Sequence, residues 1–234
     1  MRPVLGHKGK LAMRCEVHGA ACHSAYAPQG VNAIEYAARL IGQLGEIGTR
    51  LAAPEHHDPR FDPPYSTLQT GVIQGGRALN IVPAECRFDF EMRALPADDP
   101  QQVASELRAY AERELLPRMR AVSADSDIRF SELSSYPGLL TDAASDAARL
   151  LALIAEREDF TTVAFGTEGG LFDEAIPSGA QLASTPGVGC LGCHGLEAVE
   201  MAEGDGYHTG RKLTYAVDTD HLDLLQAGPS CFFC

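Results

Sequence analysis

Residues 86–93 read Cys-Arg-Phe-Asp-Phe-Glu-Met-Arg. Cys86, Phe88, Phe90 and Met92 alternate with Arg87, Asp89, Glu91 and Arg93, and a period of two is a strand with one buried and one wet face. Toward the N-terminus, residues 67–73 form a second strand that leaves through Gln74-Gly75-Gly76-Arg77. Further back, Leu11, Met13, Cys15 and Val17 alternate with Ala12, Arg14, Glu16 and His18, another half-buried strand. After a loop with Pro28 and Gly30, Asn32 and Glu35 make a capping pair for a helix. Its apolar stripe is Ile34, Ala37, Ala38, Ile41, Leu44 and Ile47, and a loop rich in Pro, His and Asp (54–64) ends it. Toward the C-terminus, Asp99-Pro100 starts a second helix, with Val103, Leu107, Tyr110 and Leu115 facing inward. Residues 128–133 are the last strand before Tyr136-Pro137-Gly138.

The order is β-α-β-β-α-β, a ferredoxin-like arrangement of the α/β (α+β) class. One sheet with two helices on one face leaves the other face and an edge open, so such a domain can dimerise. A second unit begins near Leu139. Asp142 is placed to cap a helix through Ala155, with Leu150, Leu151 and Ile154 inward, and residues 161–165 form a short strand. That strand runs into Gly166-Thr167-Glu168-Gly169-Gly170, whose backbone N–H groups suit a carboxylate or phosphate. One helix, one strand and a loop do not close a core, so this unit reads as a piece of a larger α/β domain. The expected organisation is a linker over 1–10, a lid or dimerisation domain over 11–138, a catalytic-domain piece over 139–178 and an atypical tail over 179–234.

A chain of 234 residues, 45% hydrophobic and 22% charged, buries a sizeable core. Its net charge of −13 opposes a nucleic-acid partner. No apolar run approaches the ~20 residues of a membrane span, and no signal segment follows Met1, so the cytoplasm is the expected location. Of seven cysteines, Cys15, Cys22 and Cys86 read as free thiols in a reducing compartment, the first expectation for each being burial. Cys190-Leu191-Gly192-Cys193-His194 matches the c-type haem attachment pattern, which requires export. With Cys231 and Cys234 it offers four thiolates for zinc, across a gap longer than the usual ~15–20 residues. Exposed thiols are the expectation for these four.

Three motifs carry a resemblance. The first is Gly19, His23-Ser24-Ala25, Pro28 and Gly30-Val31-Asn32-Ala33-Ile34; the second is Asn80-Ile81-Val82-Pro83 followed by a strand ending at Arg93; the third is Phe165-Gly166-Thr167-Glu168-Gly169-Gly170. In this order they resemble the metallopeptidase family that contains acetylornithine deacetylase, succinyl-diaminopimelate desuccinylase, aminoacylase and related carboxypeptidases, over roughly residues 1–178. Residues 2–9, 90–93 and 165–170 lean toward the acetylornithine deacetylase branch.

The resemblance implies hydrolysis of an N-acyl amino acid, such as N-acetylornithine in arginine biosynthesis, by an enzyme holding a pair of zinc or cobalt ions. It makes His23 the catalytic residue of this part, a donor to the developing oxyanion in a neighbouring subunit of a homodimer. Asn80, Arg93 and the loop residues Gly166, Thr167, Glu168 and Gly169 would hold the substrate. Family members place their metal ligands ahead of the lid domain, and none of that set is found here, so no two-metal site is expected in this chain. His56-His57-Asp58 and His221-Leu222-Asp223 have ligand residue types in the wrong order, and His194 has the wrong flanks. The chain is accordingly expected to be a fragment, inactive by itself. The alternatives are a non-catalytic dimerisation module or gene remnant, and a different N-acyl deacylase or desuccinylase of the same family.

Overall fold

The computed structural model describes residues 2–167, 169 and 170, and the backbone of two further strands at 196–200 and 213–217. Along the chain lie β1 (Val4–His7), β2 (Gly9–His18), α1 (Ala33–Leu51), β3 (Thr67–Gly75), β4 (Glu85–Ala94), α2 (Pro100–Tyr110), a π-turn (Ala111–Leu115), α3 (Leu116–Arg120), β5 (Asp127–Tyr136), β6 (Leu139–Leu140), α4 (Asp146–Ala155), β7 (Thr161–Val163), β8 (Leu196–Glu200) and β9 (Leu213–Val217). Two compact units divide them. The larger holds His7–Gly138 with Val163–Gly166; the smaller holds Met1–Gly6, Leu139–Thr162 and Thr167–Cys234. The stretch 1–10, expected as a linker, instead contains β1 and the start of β2.

The larger unit is an antiparallel sheet in the order β3-β4-β2-β5. This is the β-α-β-β-α-β arrangement, with the alternation of β4 intact: Cys86, Phe88, Phe90 and Met92 are all buried. Leu11, Met13, Cys15 and Val17 of β2 share their face, and α1 and α2 supply the other side of one core. Burying each such Leu, Met or Phe contributes about 1.5–3 kcal/mol. On the opposite face the period-two positions carry charge, and there Arg14 grips Asp89 with two hydrogen bonds of 2.8 Å. That pairing, and the burial that opposes it, leave the Asp89 carboxyl below the usual carboxylate range.

Asn32 caps α1 as expected. Its Oδ1 accepts from Ile34 N at 3.1 Å and Glu35 N at 3.2 Å, and its Nδ2 donates to Glu35. The buried stripe is Ala33, Ala37, Leu40, Leu44 and Ile47, rotated from the expected one: Ala38 faces solvent, and Ile34 and Ile41 flank the seam. A step of 4-3-4-3 keeps one line on the helix, so Leu40 takes the place that Ala38 cannot reach. Asp99 caps α2 through Gln101 N at 2.9 Å. The helix then widens into the π-turn, just where Pro117 has no N–H to return to the turn before it. The wide turn keeps Leu115, Leu116 and Met119 on the sheet.

Two strands run past their expected ends. β3 continues through Gly75. β5 reaches Tyr136 because a bulge absorbs Leu133: Ala12 pairs with Ser134 and Met13 with Glu132.

In the smaller unit β1 is the central strand of the order β6-β1-β7, and Leu5, Ala148 and Leu151 form its core. The helix cap here is Ser145, whose Oγ accepts from Ala148 N at 3.2 Å, and not Asp142, which turns the chain through Ala144 N. Three residues fewer are therefore helical. Leu151 is buried as expected, but Ile154 is exposed and Leu150 only half-buried. β7 stops at Val163, two residues short of the expected end. β8 and β9 pair antiparallel. Among the described residues, no helix is long and apolar enough to cross a membrane.

Candidate functional site

Beyond the end of β2, the chain needs a second segment to hold it, and the loop between β3 and β4 supplies one. Cys22 O accepts from Val82 N and Ser24 N donates to Asn80 O, both at 2.9 Å, so His23 and Ile81 form an antiparallel bridge. A second bridge joins Ala20 to Val31. Gly19 makes it possible, because a Cβ there would fall on the Val31 carbonyl oxygen. His23 and Asn80 are thus brought side by side, and both are exposed. The cleft under this loop has a volume of about 720 Å³ and is lined in part by Glu16, His18, Arg77, Glu85 and Arg87.

The His23 ring is fixed by its own turn. Its Nδ1 accepts the Ala25 backbone N–H at 3.1 Å. An acceptor nitrogen carries no proton, so the neutral ring holds its proton on Nε2. That is a hydrogen-bond donor on an exposed imidazole, the form an oxyanion requires.

Arg93 lies elsewhere. It is near the end of β4, eight residues from Glu85 where that strand begins. At about 3.3 Å per residue, roughly 26 Å of strand separates Arg93 from the end that carries the His23 and Asn80 loop. Within one chain the structure therefore does not join Asn80 or His23 to Arg93.

Arg93 has its own surroundings on the charged face. Its Nε donates to Glu91 Oε1 at 2.7 Å and its Nη1 to the Tyr136 hydroxyl at 2.7 Å. Lys10, directly across the ladder, lies 3.3 Å from Glu91. Burial raises the Glu91 carboxyl's proton affinity, but Arg93 and Lys10 together outweigh it and hold the group below its ordinary range. Gly166 sits against the Tyr136 ring, which occupies the place where a Cβ would go. In the smaller unit Thr167 Oγ1 accepts the Gly169 N–H at 3.2 Å. Glu168, His194, His221, Asp223 and the four C-terminal cysteines lie outside the described residues.

His57 stacks on Tyr65 and pairs with Ala52 O, while Asp58 is held by Arg60, so the His56-His57-Asp58 stretch is occupied with its own loop. Among the described residues no three His, Cys, Asp or Glu side chains gather closely enough to hold a metal ion, and they do not fit the metal pair that the resemblance implies. Cys15 and Cys86 are buried free thiols, and burial drives the Cys15 thiol far above its ordinary range. Cys22 is half-buried, contrary to the expectation of burial. Sequence reasoning missed Tyr136, read as a strand stop. It also missed Lys8, fully buried with Nζ on the carbonyls of Pro63 and Tyr65 at 2.8 and 2.6 Å.

Residues 5–119 match the sequence model of a peptidase dimerisation domain. An acetylornithine deacetylase from Myxococcus xanthus is 35% identical over 166 residues, which is 71% of this chain and 42% of that protein. An acetylornithine deacetylase from Edwardsiella ictaluri is 38% identical over 96 residues, 41% of this chain and 25% of its own length. The chain thus spans less than half of the curated relatives it matches. In fold, it is similar to a crystal structure of the aminopeptidase PepT from Bacillus cereus, with a TM-score of 0.52 and 18% identity over 73% of this chain and 42% of that one.

Proposed function

We propose that this chain, whose residues 5–119 belong to the peptidase dimerisation domain family, is the lid and dimerising part of a hydrolase that removes the acetyl group from N-acetyl-L-ornithine or a close N-acyl amino acid. His23 then donates its Nε2–H to the oxygen that gains negative charge as the amide carbonyl is attacked. A preorganised donor at such an oxygen is worth about 3–4 kcal/mol of barrier. Arg93 grips the substrate carboxylate, and Asn80 hydrogen-bonds the substrate beside His23. Any metal the reaction uses has to be held by residues other than the described ones. The proposed setting is arginine biosynthesis in the cytoplasm, where the free Cys15, Cys22 and Cys86 suit a reducing compartment.

One observation carries this reading. Arg93 and His23 hang off opposite ends of a sheet about 26 Å long, so a single chain does not present both to one small molecule. A second copy does, with His23 of one protomer reaching the substrate of the other. The edge strand β3 suits the contact, because Val72 and Ile73 on it are 47% and 53% exposed.

Sedimentation equilibrium should find a dimer at micromolar concentration, and Val72→Lys/Ile73→Lys should make it a monomer. A wild-type monomer would refute the reading. The ¹⁵N shifts of the His23 ring should report the Nε2–H tautomer, and an Nδ1–H tautomer would remove the proposed donor. N-acetyl-L-ornithine should move the Arg93 signals; a dimer that ignores the compound is a dimerisation module without substrate contact. The 234-residue chain alone should not turn over N-acetyl-L-ornithine, and turnover abolished by a chelator would count against that expectation.

A further inference from the structure

We infer that Tyr136 is a positioning residue for Arg93, and that residue 166 is glycine because the Tyr136 ring fills the space a side chain would need. The inference rests on the reading of Arg93 as the carboxylate grip. A guanidinium has five N–H donors and a long flexible stem, so its usefulness depends on what fixes it. Here two neighbours do. Glu91 takes Nε–H at 2.7 Å and the Tyr136 hydroxyl takes one N–H of Nη1 at 2.7 Å. Nη2 and the remaining N–H of Nη1 make no hydrogen bond among the described residues, and they are free to meet a carboxylate.

The two anchors differ in character. Glu91 brings charge, which Lys10 at 3.3 Å partly offsets. Tyr136 brings a neutral acceptor on a rigid ring, so it fixes the guanidinium plane without cancelling its charge. A hydroxyl that accepts from Arg93 also keeps its own proton to donate. The ring is fixed in turn by backbone: it stands at the end of β5, opposite Lys10, and Gly166 closes over it. A Cβ at 166 would fall 1.8–2.2 Å from Cε2, Cζ and Oη of that ring, so any other residue there displaces the hydroxyl or the backbone at 166. Gly166 and Arg93 are thus coupled through one phenol.

The test reads the Arg93 guanidinium by NMR in the full chain, first without ligand. Held at Nε and Nη1, it should show separate, slowly exchanging Nη signals. Tyr136→Phe keeps the ring but removes the acceptor, so those signals should merge while the urea midpoint falls by no more than about 0.5 M, the loss of one hydrogen bond. Gly166→Ala should reproduce the merging by pushing the hydroxyl away. Unchanged Arg93 signals in Tyr136→Phe would overturn the positioning role, and unchanged signals in Gly166→Ala would overturn the account of the glycine. With N-acetyl-L-ornithine as probe, Tyr136→Phe should weaken binding by roughly five- to tenfold, the loss expected when a charged group is less preorganised. If wild type does not bind that compound, the grip reading of Arg93 fails, whereas the ligand-free signals still decide what Tyr136 does.

Discussion

Gly19→Ala tests whether the loop that presents His23 is braced as described. The new Cβ would land on the Val31 carbonyl oxygen, a backbone atom that has no side-chain rotation with which to give way. The bridge between Ala20 and Val31 has to open. Its two hydrogen bonds, at 3.0 and 2.9 Å, contribute about 1 kcal/mol each. Val31, 2% exposed, then gives up part of its burial, for about another 1 kcal/mol. The sum is about 2–4 kcal/mol, a large part of what holds a domain of this size together. With a urea m-value of about 2 kcal/mol/M, the midpoint should fall by roughly 1–2 M, with the m-value itself unchanged. Hydrogen exchange at Ser24 N–H and Val82 N–H, which tie the His23 segment to the Asn80 loop, should quicken alongside. A midpoint shift under about 0.3 M with unchanged exchange would show that the bridge does not brace the loop, and the argument from close approach would fail.

Asn32→Ala removes the acceptor for two N–H groups at the start of α1 and should cost about 1 kcal/mol in urea unfolding, while Asn32→Asp should be nearly neutral; equal midpoints for Asn32→Ala and wild type would refute the cap. Asp89 provides a pH test. Its folded carboxyl titrates below its unfolded value near pH 3.9, so the unfolded state binds more protons and the Arg14 pair stabilises fully above that pH and is lost as pH falls through the lower folded value. The stability gap between wild type and Asp89→Asn, about 1 kcal/mol at pH 7, should therefore close below pH ~4; a gap constant down to pH 3 would contradict the assignment.

What the sequence makes legible here is what neighbours along the chain decide. The alternation from Cys86 to Arg93, the Asn32 cap and the Asp99-Pro100 helix start all depend on residues within four positions, and each stands where it was read. The misreadings share a different cause. Local spacing puts Ala38 in a buried place that Leu40 holds, because the phase of α1 is set by the sheet beneath it. Alternation alone ends β5 at Leu133, because a bulge against Ala12 and Met13 interrupts the pattern without ending the strand. The candidate site divides in the same way. His23 on a loop and Arg93 on a polar face follow from local pattern, but their placement at opposite ends of the sheet needs strand order. Tyr136 is invisible as a partner of Arg93 until the register across Lys10 is known, since 43 residues separate them in sequence.

The ladder between β2 and β4 runs without a break from Gly9 opposite Ala94 to His18 opposite Glu85. Adding or removing one residue on it would turn Phe88 and Phe90 outward and bring Asp89 into the core. Unless a bulge absorbs the change, as at Leu133, only changes of two residues keep the faces, and each moves the far end by about 6.6 Å. Both strands have to change together to stay paired. The span between the Arg93 end and the His23 end is thus a quantised length. It cannot drift by fractions of an ångström as a loop can, and as long as the ladder stays unbulged it alters in whole pleats, made in step by two distant parts of the chain.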